Sequence, residues 1–240
     1  MLCCLILAAC GSASESPEPT PAVSPTIAPT LPPGAITVGD LVDRMNAAWG
    51  GVRSMRTIFW SAPEGQVSSP AAGGSVTIEE IVLPSNRHVV QMFGGAVVDE
   101  QLVVDGRVYI KGALVPAAIA PMMDVNTWVE IDPAAATSNS PIAQQVAYLT
   151  SPVTSPLGAV SPETGNQQAV PAGEVTIGGR MCTVYTFGSG GIGYELAIDG
   201  SDLPCRLVMS ASGTANVTLY EFNVPGLVLT APDLATPPAP

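Results

Sequence analysis

The chain has 240 residues, of which 24 are Gly and 24 are Pro, and only 12% are charged, about half the usual share for a soluble domain. So many helix breakers exclude a long helical bundle, and a net charge of −12 excludes nucleic acid as a partner, because an acidic chain repels phosphates. Lys111 and His88 are the only residues of their kinds, which removes chemistry needing several of either, while an apolar fraction of 47% suffices for one sizeable core.

The chain opens MLCCLILAACGS. Leu2–Ala9 is wholly apolar but far shorter than the roughly 20 residues of a membrane span. It reads as a truncated signal-peptide core over residues 1–9, without the usual preceding Lys or Arg. Leu7-Ala8-Ala9-Cys10 resembles a bacterial lipobox, which implies cleavage before Cys10 and a covalent diacylglycerol on its sulfur. Residues 10–35 then form a tether. Its Pro, interleaved with Ser, Thr and Ala, favours an extended polyproline-like chain that lifts a domain off a membrane. No apolar run spans a bilayer, so the expected attachment is the lipid alone, on the extracytoplasmic face of a cell or outer membrane.

Residues 37–52 predict a helix. Thr37 with Asp40 matches a capping box, Leu41, Met45, Ala48 and Val52 form one apolar stripe, and Gly50-Gly51 ends it. From there the apolar period becomes two. Strands are expected over 55–62, 75–83, 88–93, 97–104, 107–111 and 127–131, with Asp105-Gly106 as a hairpin turn. Residues 112–124 read as an apolar flap and 141–150 as a helix with Pro in its first turn. A loop over 151–171 precedes five more strands, over 174–177, 180–188, 192–198, 204–212 and 215–223. Residues 36–230 read as one domain and 231–240 as a loosely held tail.

The expected fold class is α+β and mostly β: one large curved antiparallel sheet or half-barrel of about eleven strands with a helical lid. The available helices are short for such a sheet, which points to a cavity between sheet and lid. Once Cys10 carries lipid, Cys182 and Cys205 remain as a candidate disulfide in an exported domain. In a meander they lie on strands separated by a third, about 10 Å apart and too far to bridge, unless the middle strand is short at that end. Two buried thiols are the other reading.

This layout resembles the LolA-like superfamily of lipid carriers, closest to the LppX/LprG type of lipoprotein. The resemblance is carried by the anchored Cys and tether, by LVDRMNAAWGGVRSM over 41–55, and by the hairpin Val103 to Tyr109. It continues in Trp128 through Pro133 and in the step from Ile198-Asp199-Gly200 to Leu203-Pro204. It implies a hydrophobic cavity for an acylated lipid or lipoprotein, for transport or presentation, and no catalytic residues. Met45, Trp49, Met55, Met92, Ile119, Met122 and Met123 are candidate cavity residues, since thioethers adapt to flexible chains. The competing class is a structural or sensory envelope lipoprotein that recognises a protein partner; a monomer is expected in either case.

Other chemistry finds little support in the sequence. His88 reads as a surface residue with no second His for a metal site, and no Gly-x-Ser-x-Gly elbow accompanies it. Asp199 and Asp202 lack the spacing of a calcium loop. Glu79-Glu80 and Asp99-Glu100 are adjacent pairs, so on strands each pair points to opposite faces, as solvated edges rather than a glycosidase pair. Neither an enzyme, a metal nor a resident cofactor is expected.

Overall fold

A computed structural model describes residues 34–112, 126–133, 141–155 and 162–234. The elements in order are β1 (Ile36–Thr37), α1 (Val38–Trp49), β2 (Ser54–Pro63), β3 (Ser75–Val82), β4 (Asn86–Phe93), β5 (Ala96–Val104), β6 (Arg107–Gly112) and β7 (Val129–Ile131). Then come α2 (Pro141–Thr150), the single turn α3 (Pro162–Gly165), β8 (Gln168–Ile177), β9 (Arg180–Ser189), β10 (Ile192–Asp199), β11 (Pro204–Ala211) and β12 (Thr214–Phe222). The strands make one curved, unclosed 12-stranded sheet, ordered β1-β8-β9-β10-β11-β12-β2-β3-β4-β5-β6-β7. Two meanders therefore meet along β12 and β2, which pair antiparallel from Thr214↔Pro63 to Phe222↔Met55.

Two departures from the sequence reading share a cause: β1 adds a twelfth strand to the expected eleven or so, and β8 starts early. β8 begins at Gln168, inside the expected loop, because Ile36 of the two-residue β1 pairs with Ala169 and covers that edge. Pro171 is tolerated there at a register shift between Pro171 and Gly173, where the ladder needs no donor.

The capping box forms as expected: the Asp40 N–H donates to Thr37 Oγ1 at 3.0 Å and the Thr37 N–H donates to Asp40 Oδ2 at 3.4 Å. The helix ends at Trp49, and its buried residues are Val38, Leu41, Val42 and Met45, so Val42 widens the expected stripe and Ala48 sits at its margin. Each such burial contributes roughly 1.5–3 kcal/mol.

Strand pairing fixes which side chains share a face, because neighbours across a ladder point the same way. Leu196, Leu207, Tyr220, Met55 and Ile81 fall on one face and pack against α1. Val89, Val103 and Val108 continue that face and pack against Val146 and Leu149 of α2. Both longer helices thus cover the same, inner face. Trp60, Val208 and Val217 form a separate cluster on the outer face.

The antiparallel register also sorts the turns. Gly94-Gly95, Gly190-Gly191, Ser212-Gly213 and the 64–74 loop lie at one end of the sheet, toward which Ile36 and Thr37 run beside the start of β8. Gly178-Gly179, 200–203, 83–85 and Asp105-Gly106 lie at the other. At Asp105-Gly106 both residues have positive φ, 52° and 79°, as a tight hairpin turn requires.

Cys182 and Cys205 form a disulfide although β10 lies between their strands. The pairing of β10 with β11 skips Cys205: Ala197 faces Arg206 and Ile198 faces Pro204. A bulge residue is free of the ladder and can turn. This brings the Cα atoms to 6.7 Å, at the end of β10, with the small Ala197 packed in the same cluster.

Candidate functional site

The inner face is left uncovered between the areas held by α1 and α2. A cavity of about 510 Å³ lies there over β12, β2, β3 and β4, with Tyr148 of α2 and the strap 151–155 on its other side. Its apolar wall includes Met55, Phe59, Ile81 and Val153. Its polar wall includes Thr57, Thr77 and Thr218 on three neighbouring strands, with Glu79 and Arg87 beside them. The expectation of an apolar cavity wall is thereby corrected. The cavity is amphipathic, because inward-facing positions of β2, β3, β4 and β12 carry hydroxyls and an ion pair among the hydrophobes.

Arg87 organises the polar side. It is 4% exposed, its Nε lies 3.2 Å from Glu79 Oε1, and an Nη1–H donates to the Tyr148 carbonyl. Its guanidinium lies over the Tyr148 ring, 4.8 Å from the centroid. The Tyr148 hydroxyl donates to Glu79 Oε1 at 2.9 Å. A cation from the sheet therefore holds a carbonyl at the C-terminal end of α2, where the helix dipole is negative. Burial pushes the Tyr220 phenol up to about 12; burial, then the Glu79 carboxylate, does the same for Tyr148. Both phenols thus stay neutral at physiological pH, and the Glu79–Arg87 charges offset each other.

Further along the inner face the buried polar groups continue. The Gln145 amide of α2 donates to Gln101, and Gln101 donates to Asp99. Gln101 and Asp99 are 0% and 3% exposed, so these bonds are what makes their burial tolerable.

The adjacent carboxylates do split between faces, as strand geometry requires, but they are not solvated edges. Glu79 and Asp99 point inward. Glu80 and Glu100 join a ladder on the outer face that runs Glu221–Arg56–Glu80–His88–Glu100–Lys111 across six strands. His88 sits between two carboxylates, with Nδ1 3.4 Å from Glu80 and Nε2 3.5 Å from Glu100, and is half-buried rather than a plain surface residue. Asp199 organises its turn by accepting from the Ser201 and Leu203 N–H groups at 2.9 and 3.2 Å, and it pairs with Arg180 at 2.8 Å. Asp202 pairs with Arg44 of α1. Among the described residues no group of three or more His, Cys, Asp and Glu could hold a metal.

Of the residues singled out by the sequence, Met55 lines the cavity. Met45 lies in the core under α1, and Trp49 packs edge-on against Phe222 with ring centroids 6.0 Å apart. Met92 pairs with Val76 and so lies on the outer face, away from the cavity, because the period of two places it opposite Gln91. Ile119, Met122, Met123 and Cys10 lie outside the described residues. The sequence reading missed Thr57, Thr77, Thr218 and Arg87. Their signal was polar residues at inward positions of otherwise apolar strands, which becomes visible only once pairing fixes the inner face.

No family model matches the chain, and no curated protein matches it. The curved, unclosed sheet carries both longer helices on one face, as a half-barrel with a helical cover. Solved structures similar to it include the Mycobacterium tuberculosis lipoprotein LppX, with 13% identity over 79% of this chain and 97% of that one, TM-score 0.44. LprF from Mycobacterium bovis is similar at 13% identity over 82% and 97%, TM-score 0.48. A LolA superfamily protein from Nitrosomonas europaea is similar at 9% identity over 78% and 92%, TM-score 0.28.

Proposed function

We propose that this protein is a non-enzymatic, lipid-anchored envelope lipoprotein that holds an acylated lipid or lipoprotein in the cavity between β2, β3 and α2. The carrying observation is the cavity itself: about 510 Å³ left open on the inner face of a one-sided sheet. That volume lies within the roughly 300–1,000 Å³ of ordinary ligand sites. Met55, Phe59 and Ile81 suit an acyl chain, and the three threonines suit the polar group that joins it to the rest of the molecule. The Cys182–Cys205 disulfide supports an oxidising, extracytoplasmic location. The lipobox-like Cys10 and the Pro-rich tether support attachment to the membrane there, with hand-over or presentation within tether reach.

Mass spectrometry of organic extracts from the purified protein tests the reading, paired with binding of a fluorescent fatty acid. A stoichiometric acyl species and saturable binding are expected. A lipid-free protein that binds no acyl probe would exclude it. Replacing Cys10 by Ala is expected to release the protein from membranes into the soluble extracytoplasmic fraction, and retention would exclude the anchor.

A further inference from the structure

Packed core bounds the cavity over β2 and β3 on both flanks. On one flank α1 buries Leu41 and Met45 against Leu207 and Tyr220. On the other α2 buries Val146 and Leu149 against Val89 and Val103. The space of about 510 Å³ between them is therefore bordered by side chains already in contact.

The ladder register sorts that space into rows. Thr218, Phe59 and Thr77 face one another across β12, β2 and β3. Two residues along the strands, about 7 Å, come Tyr220, Thr57 and Glu79, and after them Met55 and Ile81. Phe59 is 36% exposed, whereas Met55 and Ile81 are 5% and 2% exposed. The deep end is thus apolar, the middle row is polar, and the outer end is a ring between two hydroxyls. Val153 of the strap adds to the apolar wall.

This wall suits one chain. An acyl chain laid along Met55, Ile81 and Val153 meets apolar side chains. A second chain would lie on Thr57 or on the Glu79–Arg87 pair, taking polar groups from water without offering them hydrogen bonds. Volume leads to the same result. At water's share of about 30 Å³ per molecule the cavity equals about 17 waters, and a methylene group fills a similar volume. One chain of roughly 16 carbons therefore fills the space, and two such chains exceed it about twofold.

We infer that the cavity takes one acyl chain per protein, so that its ligand is a single-chain amphiphile. The chain lies toward Met55 and Ile81, and its uncharged polar junction lies at Thr77 and Thr218. This rests on the reading of the cavity as an acyl site and goes beyond it by fixing the number and length of chains.

The test uses the full chain with Cys10→Ala, so that no lipid of its own competes. The delipidated protein is equilibrated with phosphatidylcholine vesicles, with methyl-β-cyclodextrin as a shuttle. The vesicles carry equal amounts of dipalmitoylglycerol and of monoacylglycerols of about 8 to 22 carbons. Mass spectrometry of the re-isolated protein measures bound lipid relative to the vesicle content. Monopalmitoylglycerol is expected to exceed dipalmitoylglycerol by about tenfold or more. Occupancy should fall about fourfold per methylene beyond the length that fills the cavity. Phe59→Ala should move this limit to longer chains and Val153→Trp to shorter ones. Dipalmitoylglycerol bound as well as the monoacyl form, or occupancy undiminished up to the longest chain, would overturn this inference and leave the acyl site standing. A limit that moves in neither folded variant would also overturn it. A protein that takes up no lipid at all would overturn the reading of the cavity as well.

Discussion

Arg87 of β4 caps α2 through the carbonyl of Tyr148 while pairing with Glu79 of β3. One buried guanidinium therefore fixes the helix over the sheet and sets the polar edge of the cavity. Arg87→Ala should destabilise the domain by about 3 kcal/mol, because it leaves Glu79 half-buried without its cation and takes the charged donor from Tyr148 O, which keeps only the N–H and hydroxyl of Ser151. The shift of the urea midpoint measures this. A change below about 1 kcal/mol would mean that α2 does not depend on the contact.

The disulfide closes a loop between residues 23 apart in sequence. Cys182→Ala/Cys205→Ala should cost about 3 kcal/mol by the chain-entropy model, and reductant should lower the melting temperature of the parent but not of the variant. A reductant-insensitive parent would contradict the bridge.

Tyr220 links stability to alkaline pH. Its phenol is pushed up to about 12 in the fold, by burial, against 10.0 for an exposed Tyr. The neutral form is favoured when folded, so this contribution is complete below pH 10 and is lost as pH rises from 10 through 12. The loss reaches about 2–3 kcal/mol. Tyr220→Phe should flatten that part of the stability–pH curve measured by denaturant titration, leaving only the contributions of other groups.

Thr77 faces the cavity from β3 and is half-buried. Thr77→Trp should fill the space and weaken binding of a fluorescent fatty acid by about tenfold or more, with stability changed by no more than about 1 kcal/mol. Unaltered affinity in a folded variant would place the ligand elsewhere.

Thr37→Ala removes one half of the capping box at the start of α1. A loss of about 1 kcal/mol is expected in thermal or urea unfolding, since an orphan N–H then relies on water.

Much of this architecture is local and so legible in the residues. Thr37 and Asp40 mark the start of α1, Asp105-Gly106 marks a hairpin, and the period of two marks β2 to β6. Pro141 and the spacing of Ile142, Val146 and Leu149 mark α2. What was not legible depends on partners distant in sequence. The start of β8 needed Ile36 to cover its edge. Met92 looked like a cavity residue because composition cannot tell one face of a strand from the other. The bridge between Cys182 and Cys205 depended on a bulge that leaves Cys205 out of the ladder, which strand spacing alone argued against.

The sequence by itself determined the class of fold, because turn glycines and capping residues act through neighbours a few residues away. Tertiary structure alone decided the character of the cavity. Thr57, Thr77, Thr218, Glu79 and Arg87 come from four strands, and only the register of β12, β2, β3 and β4 turns them toward one space under α2.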